Sequence, residues 1–169
     1  MNNQKIYFAK VDATKETIIP TKRVEDAGFD IYANFDEDFI VINPHETKMI
    51  PTNLASAFSN KYVVILKERG STGSKGIAQR CGVIDSGYRG EYFIPLTNTN
   101  DKPLVILKDV SEASLASLED DYIVYPYSKA ICQAILVPVP EVTIEELSYD
   151  DLLKFESERG TGCLGASGK

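Results

Sequence analysis

Apolar residues along this chain gather in short runs rich in β-branched and aromatic side chains, at residues 5–11, 29–35, 39–42, 62–66, 92–96, 104–107 and 131–139. Pro, Asn, Asp and Gly separate the runs, at the spacing of strands joined by turns. Pro51, Pro95, Pro138 and Pro140 stand in or beside them, which suits strand ends, bulges and edges better than helix interiors. The pattern predicts a mainly β domain whose strands close up or stack as two sheets. Two stretches carry helical spacing: residues 111–120, with Leu115 and Leu118 three apart, and residues 143–155, with Ile144, Leu147, Leu152 and Phe155 among acids.

Glycine sharpens this picture. All 11 glycines fall at Gly28, at 70, 73, 76, 82, 87 and 90, and at 160, 162, 165 and 168. Glycine confined in this way marks backbone that takes a positive φ or comes close to a ligand. Between Lys67 and Gly90 there are five bases and two acids, a local charge of +3 in a chain of net charge -7. A basic, glycine-dense island suits a compact polyanion such as phosphate, and it equally suits a set of tight turns with solvated charges.

Composition then excludes whole classes of function. At 169 residues the chain has the size of one domain. A net charge of -7 argues against general affinity for nucleic acid or an anionic membrane surface. No apolar run reaches the roughly 20 residues of a membrane span, and the N-terminus reads as lacking a secretory signal. Cys81, Cys132 and Cys163 form no C-x-x-C pair, and their odd number fits a reduced, cytoplasmic setting. With His45 the single histidine, a zinc site or a histidine-based nucleophilic triad has almost no raw material. The chemistry is expected to rest on carboxylates, basic groups, hydroxyls and backbone.

Five segments are specific enough to compare with a family. They are Ala-Gly-Phe-Asp-Ile-Tyr-Ala at 27–33, Arg-Gly-Ser-Thr-Gly-Ser-Lys at 69–75 and Gly-Val-Ile-Asp-Ser-Gly-Tyr-Arg-Gly-Glu at 82–91. Ile-Cys-Gln-Ala-Ile-Leu at 131–136 and Arg-Gly-Thr-Gly-Cys-Leu-Gly-Ala-Ser-Gly at 159–168 complete the set. In this order they resemble the five motifs of the trimeric dUTP pyrophosphatases. The resemblance implies a jelly-roll β subunit, a homotrimer with three shared active sites, and Mg²⁺-dependent hydrolysis of dUTP to dUMP and pyrophosphate, which limits uracil incorporation into DNA.

The resemblance also assigns roles. Asp85, which alone would read as a turn-capping aspartate beside Gly87, matches the base that activates water for attack at the α-phosphorus. Tyr88 matches the ring that packs under the deoxyribose and leaves no room for a 2′-hydroxyl. Arg69, Gly70 and Ser71 match the triphosphate-holding loop, in the order Arg-Gly-Ser where the family has Arg-Ser-Gly, so either the Ser71 hydroxyl or the Gly70 backbone is the contact. Gln133 matches a phosphate-binding amide, Gln79 a side chain near uracil, and Gly82, Val83 and Ile84 the backbone that reads the base. Arg159 matches the arginine that reaches the γ-phosphate, and Leu164 stands where the family has a stacking aromatic. Asp30 matches a carboxylate that meets the metal through water, the ion itself being held mainly by the triphosphate.

Residues 1–158 are expected to form the β domain and 159–169 a glycine-rich arm. The 48 residues from Asp85 to Gln133 exceed the spacing of short family members, which places an insertion around 100–126, as in some phage members. Two other readings accompany the enzyme: a dCTP deaminase relative, and a nucleotide-dependent regulatory protein whose insertion binds a partner protein.

Overall fold

The computed structural model describes residues 4–108, 111, 118 and 121–162. Twelve strands are present among them: β1 (Ile6–Lys10), β2 (Phe29–Ile31), β3 (Phe39–Ile42), β4 (Thr47–Pro51), β5 (Leu54–Phe58), β6 (Tyr62–Lys67), β7 (Ile77–Gln79), β8 (Val83–Ile84), β9 (Phe93–Asn98), β10 (Leu104–Leu107), β11 (Ile123–Pro126) and β12 (Cys132–Pro138). One turn of helix, α1 (Gly70–Gly73), separates β6 from β7, and α2 (Tyr149–Leu152) lies near the C-terminus. The all-β, jelly-roll-type expectation with one or two short helices is met.

The strands form sheets in the orders β1-β5, β11-β10-β3, β2-β12-β6-β8 and β4-β9-β7. β10 and β11 run parallel, while the other paired neighbours are antiparallel. A single core joins them, built from residues such as Ile31, Ile42, Ile50, Leu54, Val64, Ile94, Leu104 and Ile106. Each such side chain contributes about 1.5–3 kcal/mol when fully buried. Tyr92 and Tyr125 are the largest fully buried side chains. Gly28 is required by packing: a Cβ there would lie 2.6 Å from the Ala134 carbonyl oxygen on β12.

β4 and β5 escape the sequence pattern because Thr-Lys-Met-Ile-Pro and Leu-Ala-Ser-Ala-Phe have weak intrinsic strand preference. They are strands because β9 and β1 pair with them. The strand expected at 29–35 ends at Ile31. Segment 100–126 contains β10, buried along its whole length, and β11, so both are part of the core.

The first compact unit ends at Val139, and a second begins at Pro140. In the second, the helix expected over 143–155 is limited to α2. Ser148 is extended, with φ -65° and ψ 152°, and its hydroxyl accepts from the Asp151 N–H, so the helix can start only there. The β-branched residues Val142, Thr143 and Ile144 disfavour its extension backward, and α2 buries no residue to support a longer one. The helix expected at 111–120 lies largely outside the described residues, where Leu118 is helical and Ser111 is not. Among the described residues no helix is long and apolar enough to cross a membrane.

Candidate active site

Strand alternation brings the first group of polar residues together. In β2, Phe29 and Ile31 are buried and Asp30 points the other way; in β12, Cys132 and Ala134 are buried and Gln133 points the other way. Asp30 pairs with Gln133 and Gln133 with Lys67, so three strands present one polar row. Two residues beyond Lys67 comes Arg69, where the chain turns into α1. Buried Thr72 pins that turn, its hydroxyl accepting from the Arg69 N–H at 3.2 Å and donating to the Arg69 carbonyl at 2.9 Å.

Arg69 ties the row to the turn. Its Nε lies 3.0 Å from Asp30 Oδ1 and its Nη2 donates to Oδ2 at 3.2 Å, while Nη1 donates to Ser71 Oγ at 3.1 Å and to the Ala130 carbonyl at 3.2 Å. Gln133 donates to the Glu68 carbonyl at 3.0 Å. Apart from its chain neighbours and the backbone of α1, no described atom lies within 4 Å of where a Cβ on Gly70 would sit, so this glycine leaves open space that no packing demands. Together Asp30, Arg69, Gly70, Ser71 and Gln133 line a cleft of about 560 Å³, which Ile18, Thr21, Arg23 and Tyr32 also line.

A second group forms at the turn after β8. The Tyr88 N–H donates to the Asp85 carbonyl at 3.0 Å, closing a tight turn over Ser86 and Gly87. Arg89 holds that turn from outside, Nη1 donating to the Ser86 carbonyl at 2.6 Å and the Tyr88 carbonyl at 3.0 Å. The Tyr88 ring folds back over Gly90, where a Cβ would lie 2.5 Å from its oxygen, and its hydroxyl donates to the Glu91 carbonyl at 2.8 Å. The Glu91 carboxylate accepts from the N–H groups of Thr52 and Asn53 at 3.0 and 2.7 Å. Asn53 has φ 56°, and this anchor helps hold its left-handed conformation. Asp85 itself is exposed, and no described residue hydrogen-bonds its carboxylate. With Cys81, Val83, Ile84, Tyr88 and Glu91 it lines a smaller cleft of about 300 Å³.

The two clefts share no lining residue. Ile84 pairs with Val64, and β6 runs on to Lys67, roughly 10 Å of strand, before Arg69 is reached. Within one chain, therefore, Asp85 and Tyr88 do not meet Arg69, Ser71 and Gln133. Gly82 continues the ladder, its carbonyl accepting from the Leu66 N–H at 2.8 Å. Gln79 lines neither cleft, and its amide lies 3.6 Å from Cys81 Sγ. Arg159 belongs to the second unit, where its Nε donates to the Gly162 carbonyl at 3.0 Å, and Leu164 lies outside the described residues.

The basic island does not act as one patch. Arg80 donates to Thr97 Oγ1 at 2.9 Å and Arg89 is spent on carbonyls, so Arg69 is the island's only base lining the larger cleft. Sequence reading missed Arg23, which lines that cleft from outside the island, and whose guanidinium holds the Asp26 carboxyl below its usual range. Its position five residues before Gly28 is the signal that could have found it. Among the described residues no group of three or more His, Cys, Asp or Glu could hold a metal ion. Burial pushes the thiols of Cys81 and Cys132 up, so neither is a thiolate at neutral pH.

The dUTPase family model matches residues 14–168. A deoxyuridine 5'-triphosphate nucleotidohydrolase from Nautilia profundicola is 30% identical over 162 residues, covering 92% of this chain and 94% of its own. A dUTPase of Staphylococcus bacteriophage 80alpha, solved with dUpNHpp, shares the fold with a TM-score of 0.73 at 19% identity, over 98% of this chain and 99% of its own. A dUTPase from phage phi11 of S. aureus, whose structure concerns coordination of a structural Mg(II) ion, matches with a TM-score of 0.64 at 19% identity over 86% of this chain and 99% of its own.

Proposed function

The chain belongs to the dUTPase family, a family of enzymes, and from that membership we propose that it is a dUTP diphosphatase acting in the cytoplasm, with Asp85 as general base. The observation that carries this reading is the unpartnered, exposed Asp85 carboxylate set beside Tyr88 in the smaller cleft. As a water oxygen bonds to the α-phosphorus, Asp85 takes the water's proton. The bond from that phosphorus to the bridging oxygen breaks, and the electron pair leaves on pyrophosphate. Positioning and electrostatic stabilisation suffice, with no covalent intermediate. The Tyr88 ring would lie under the deoxyribose, and the 82–84 backbone, with Gln79 behind it, would face uracil.

The triphosphate belongs in the larger cleft, against Arg69, Ser71, Gln133 and the space beside Gly70. Since Asp85 and Arg69 stand at separate clefts, a complete site needs groups from different copies, which supports a homotrimer with shared sites. Arg159 and Leu164 would close over the nucleotide from the tail. The acidic residues fit magnesium carried by the triphosphate: Asp30 already receives the Arg69 guanidinium on both oxygens and can still accept from a metal-bound water. When bound, the ion neutralises charge on the phosphates. A partner-binding role would fall to the insertion around 100–126, which contributes β10 and β11 to the domain.

Product analysis tests the reading. Protein incubated separately with dUTP, UTP, dCTP and dTTP should release pyrophosphate from dUTP alone and only with Mg²⁺. Ammonia from dCTP would identify a deaminase instead, and dUTP binding without turnover would favour a regulatory protein.

A further inference from the structure

Tyr125 on β11 has a relative exposure of 1%, yet it carries a hydroxyl that packing alone does not need. That hydroxyl donates to the Ala130 carbonyl oxygen at 2.6 Å. The same oxygen accepts from Arg69 Nη1 at 3.2 Å. Nη1 also donates to Ser71 Oγ, and the other edge of the guanidinium lies on Asp30. Burial pushes the Tyr125 phenol up, and the nearby Ser71 hydroxyl and the charge of Arg69 hold it partly back, so it remains a protonated donor at neutral pH.

Counting donors shows what this arrangement leaves over. A guanidinium has five N–H groups: three on Arg69 donate to Asp30, Ser71 and Ala130, and Nε faces the Asp30 carboxylate as an ion pair. One remains for a ligand. An arginine tied on both edges cannot turn to meet an arriving phosphate, so the direction of that last N–H is set by the partners behind it. Ala130 is one of them, and its carbonyl is held in turn by Tyr125.

We propose that Tyr125 is a positioning residue of the substrate site: by fixing the Ala130 carbonyl it sets the plane of the Arg69 guanidinium, so that the remaining N–H and the Ser71 hydroxyl face a phosphate oxygen in the larger cleft. The proposal rests on the functional reading above. A buried tyrosine kept only for its bulk would be replaceable by phenylalanine without consequence. Here the phenylalanine ring would fill the same space and leave the carbonyl to Arg69 alone.

The test is steady-state dUTP hydrolysis by Tyr125→Phe. KM should rise roughly 5–10-fold, the weight of one buried hydrogen bond, with kcat within about twofold. In an Arg69→Lys background the same substitution should change KM less than about twofold, because the plane it sets is gone. Replacing Tyr125 with 4-aminophenylalanine, which restores a donor, should return KM to within about twofold of wild type. A folded Tyr125→Phe protein with wild-type KM overturns the proposal, as does an equal loss in the Arg69→Lys background. Should Tyr125→Phe fail to fold, the 4-aminophenylalanine protein decides: wild-type KM supports the role and a rise beyond about fivefold overturns it. Wild-type protein that does not turn over dUTP sinks the functional reading itself, whereas an active wild type with an unaffected Tyr125→Phe sinks the positioning role alone.

Discussion

The two clefts of this chain treat their polar groups in opposite ways. Around Arg69 nearly every donor is already spent on a neighbour, from the Asp30 carboxylate to the Ser71 hydroxyl and the Ala130 carbonyl. Around Asp85 the backbone is bound from several sides, by Arg89 and through Glu91, while among the described residues the carboxylate has no partner. The first arrangement fits a group that must hold a charge at a set position. The second fits a group that must reach a water and take its proton, since no described donor competes for its oxygens. Pre-organised binding groups and an uncommitted base are thus segregated to different ends of one sheet.

The largest expected effect comes from removing the uncommitted group. Asp85→Asn keeps size and shape, so it should leave binding of a non-hydrolysable dUTP analogue within a few-fold and lower kcat by about 10²–10⁴. Steady-state kinetics and calorimetric titration check both halves; near-normal kcat ends the role of Asp85. If the two clefts of different copies complete one site, Asp85→Asn and Arg69→Ala should rescue one another. Co-refolded in equal amounts, they should recover about a quarter of wild-type activity, the fraction of sites that draw both intact halves. Mixed oligomers that stay inactive would refute shared sites.

Glu91 holds the Asp85 turn from the structural side. Its carboxylate is the acceptor for Thr52 and Asn53 N–H groups beneath the Tyr88 turn. Glu91→Ala leaves both donors unsatisfied, at a cost of about 2 kcal/mol. For a chain of this length that lowers Tm by roughly 4–8 °C. Thermal unfolding measures it, and an unchanged Tm would mean that the turn is held by Arg89 instead.

Much of this was legible before the fold was known, for reasons that can be stated. The inward and outward alternation of 29–31 and 132–134 is visible in the residues, and it places Asp30 and Gln133 on one face. The glycine positions also carried real constraints, since Gly28 and Gly90 sit where a Cβ would collide. What could not be read is pairing over long separations. That Val64 meets Ile84 while Lys67 meets Gln133 decides that the predicted site splits in two, and no local pattern encodes that register. The +3 island divides for a related reason: charge counted along the chain says nothing about which arginines are spent on neighbouring hydroxyls and carbonyls. β4 and β5 owe their existence to partners, and the role of Tyr125 depends on a carbonyl five residues away, met only in the fold.

One likeness underlies the contrast, and alkaline pH probes it. Each group has a fully buried tyrosine near it: Tyr125 shares the Ala130 carbonyl with Arg69, and Tyr92, whose hydroxyl meets Ser56, follows the Asp85 turn along the chain. Burial pushes the Tyr92 phenol up, and the Ser56 hydrogen bond and the Arg89 charge pull it partly back. A phenol whose folded pKa is raised ionises first in the unfolded chain. Its stabilising contribution is therefore whole below about pH 10 and is lost as pH climbs past that toward the folded value. The raised thiols of Cys81 and Cys132 obey the same sign from a lower start, near pH 8.5–9. Stability should thus begin to fall near pH 9 and fall more steeply above about pH 10. Removing one phenol by Tyr92→Phe should flatten only the steeper part, by up to about 1.4 kcal/mol per pH unit, and leave the slope between pH 9 and 10 unchanged. Urea midpoints taken from pH 8 to 11 measure both segments, and parallel curves for the two proteins would show that Tyr92 titrates alike folded and unfolded.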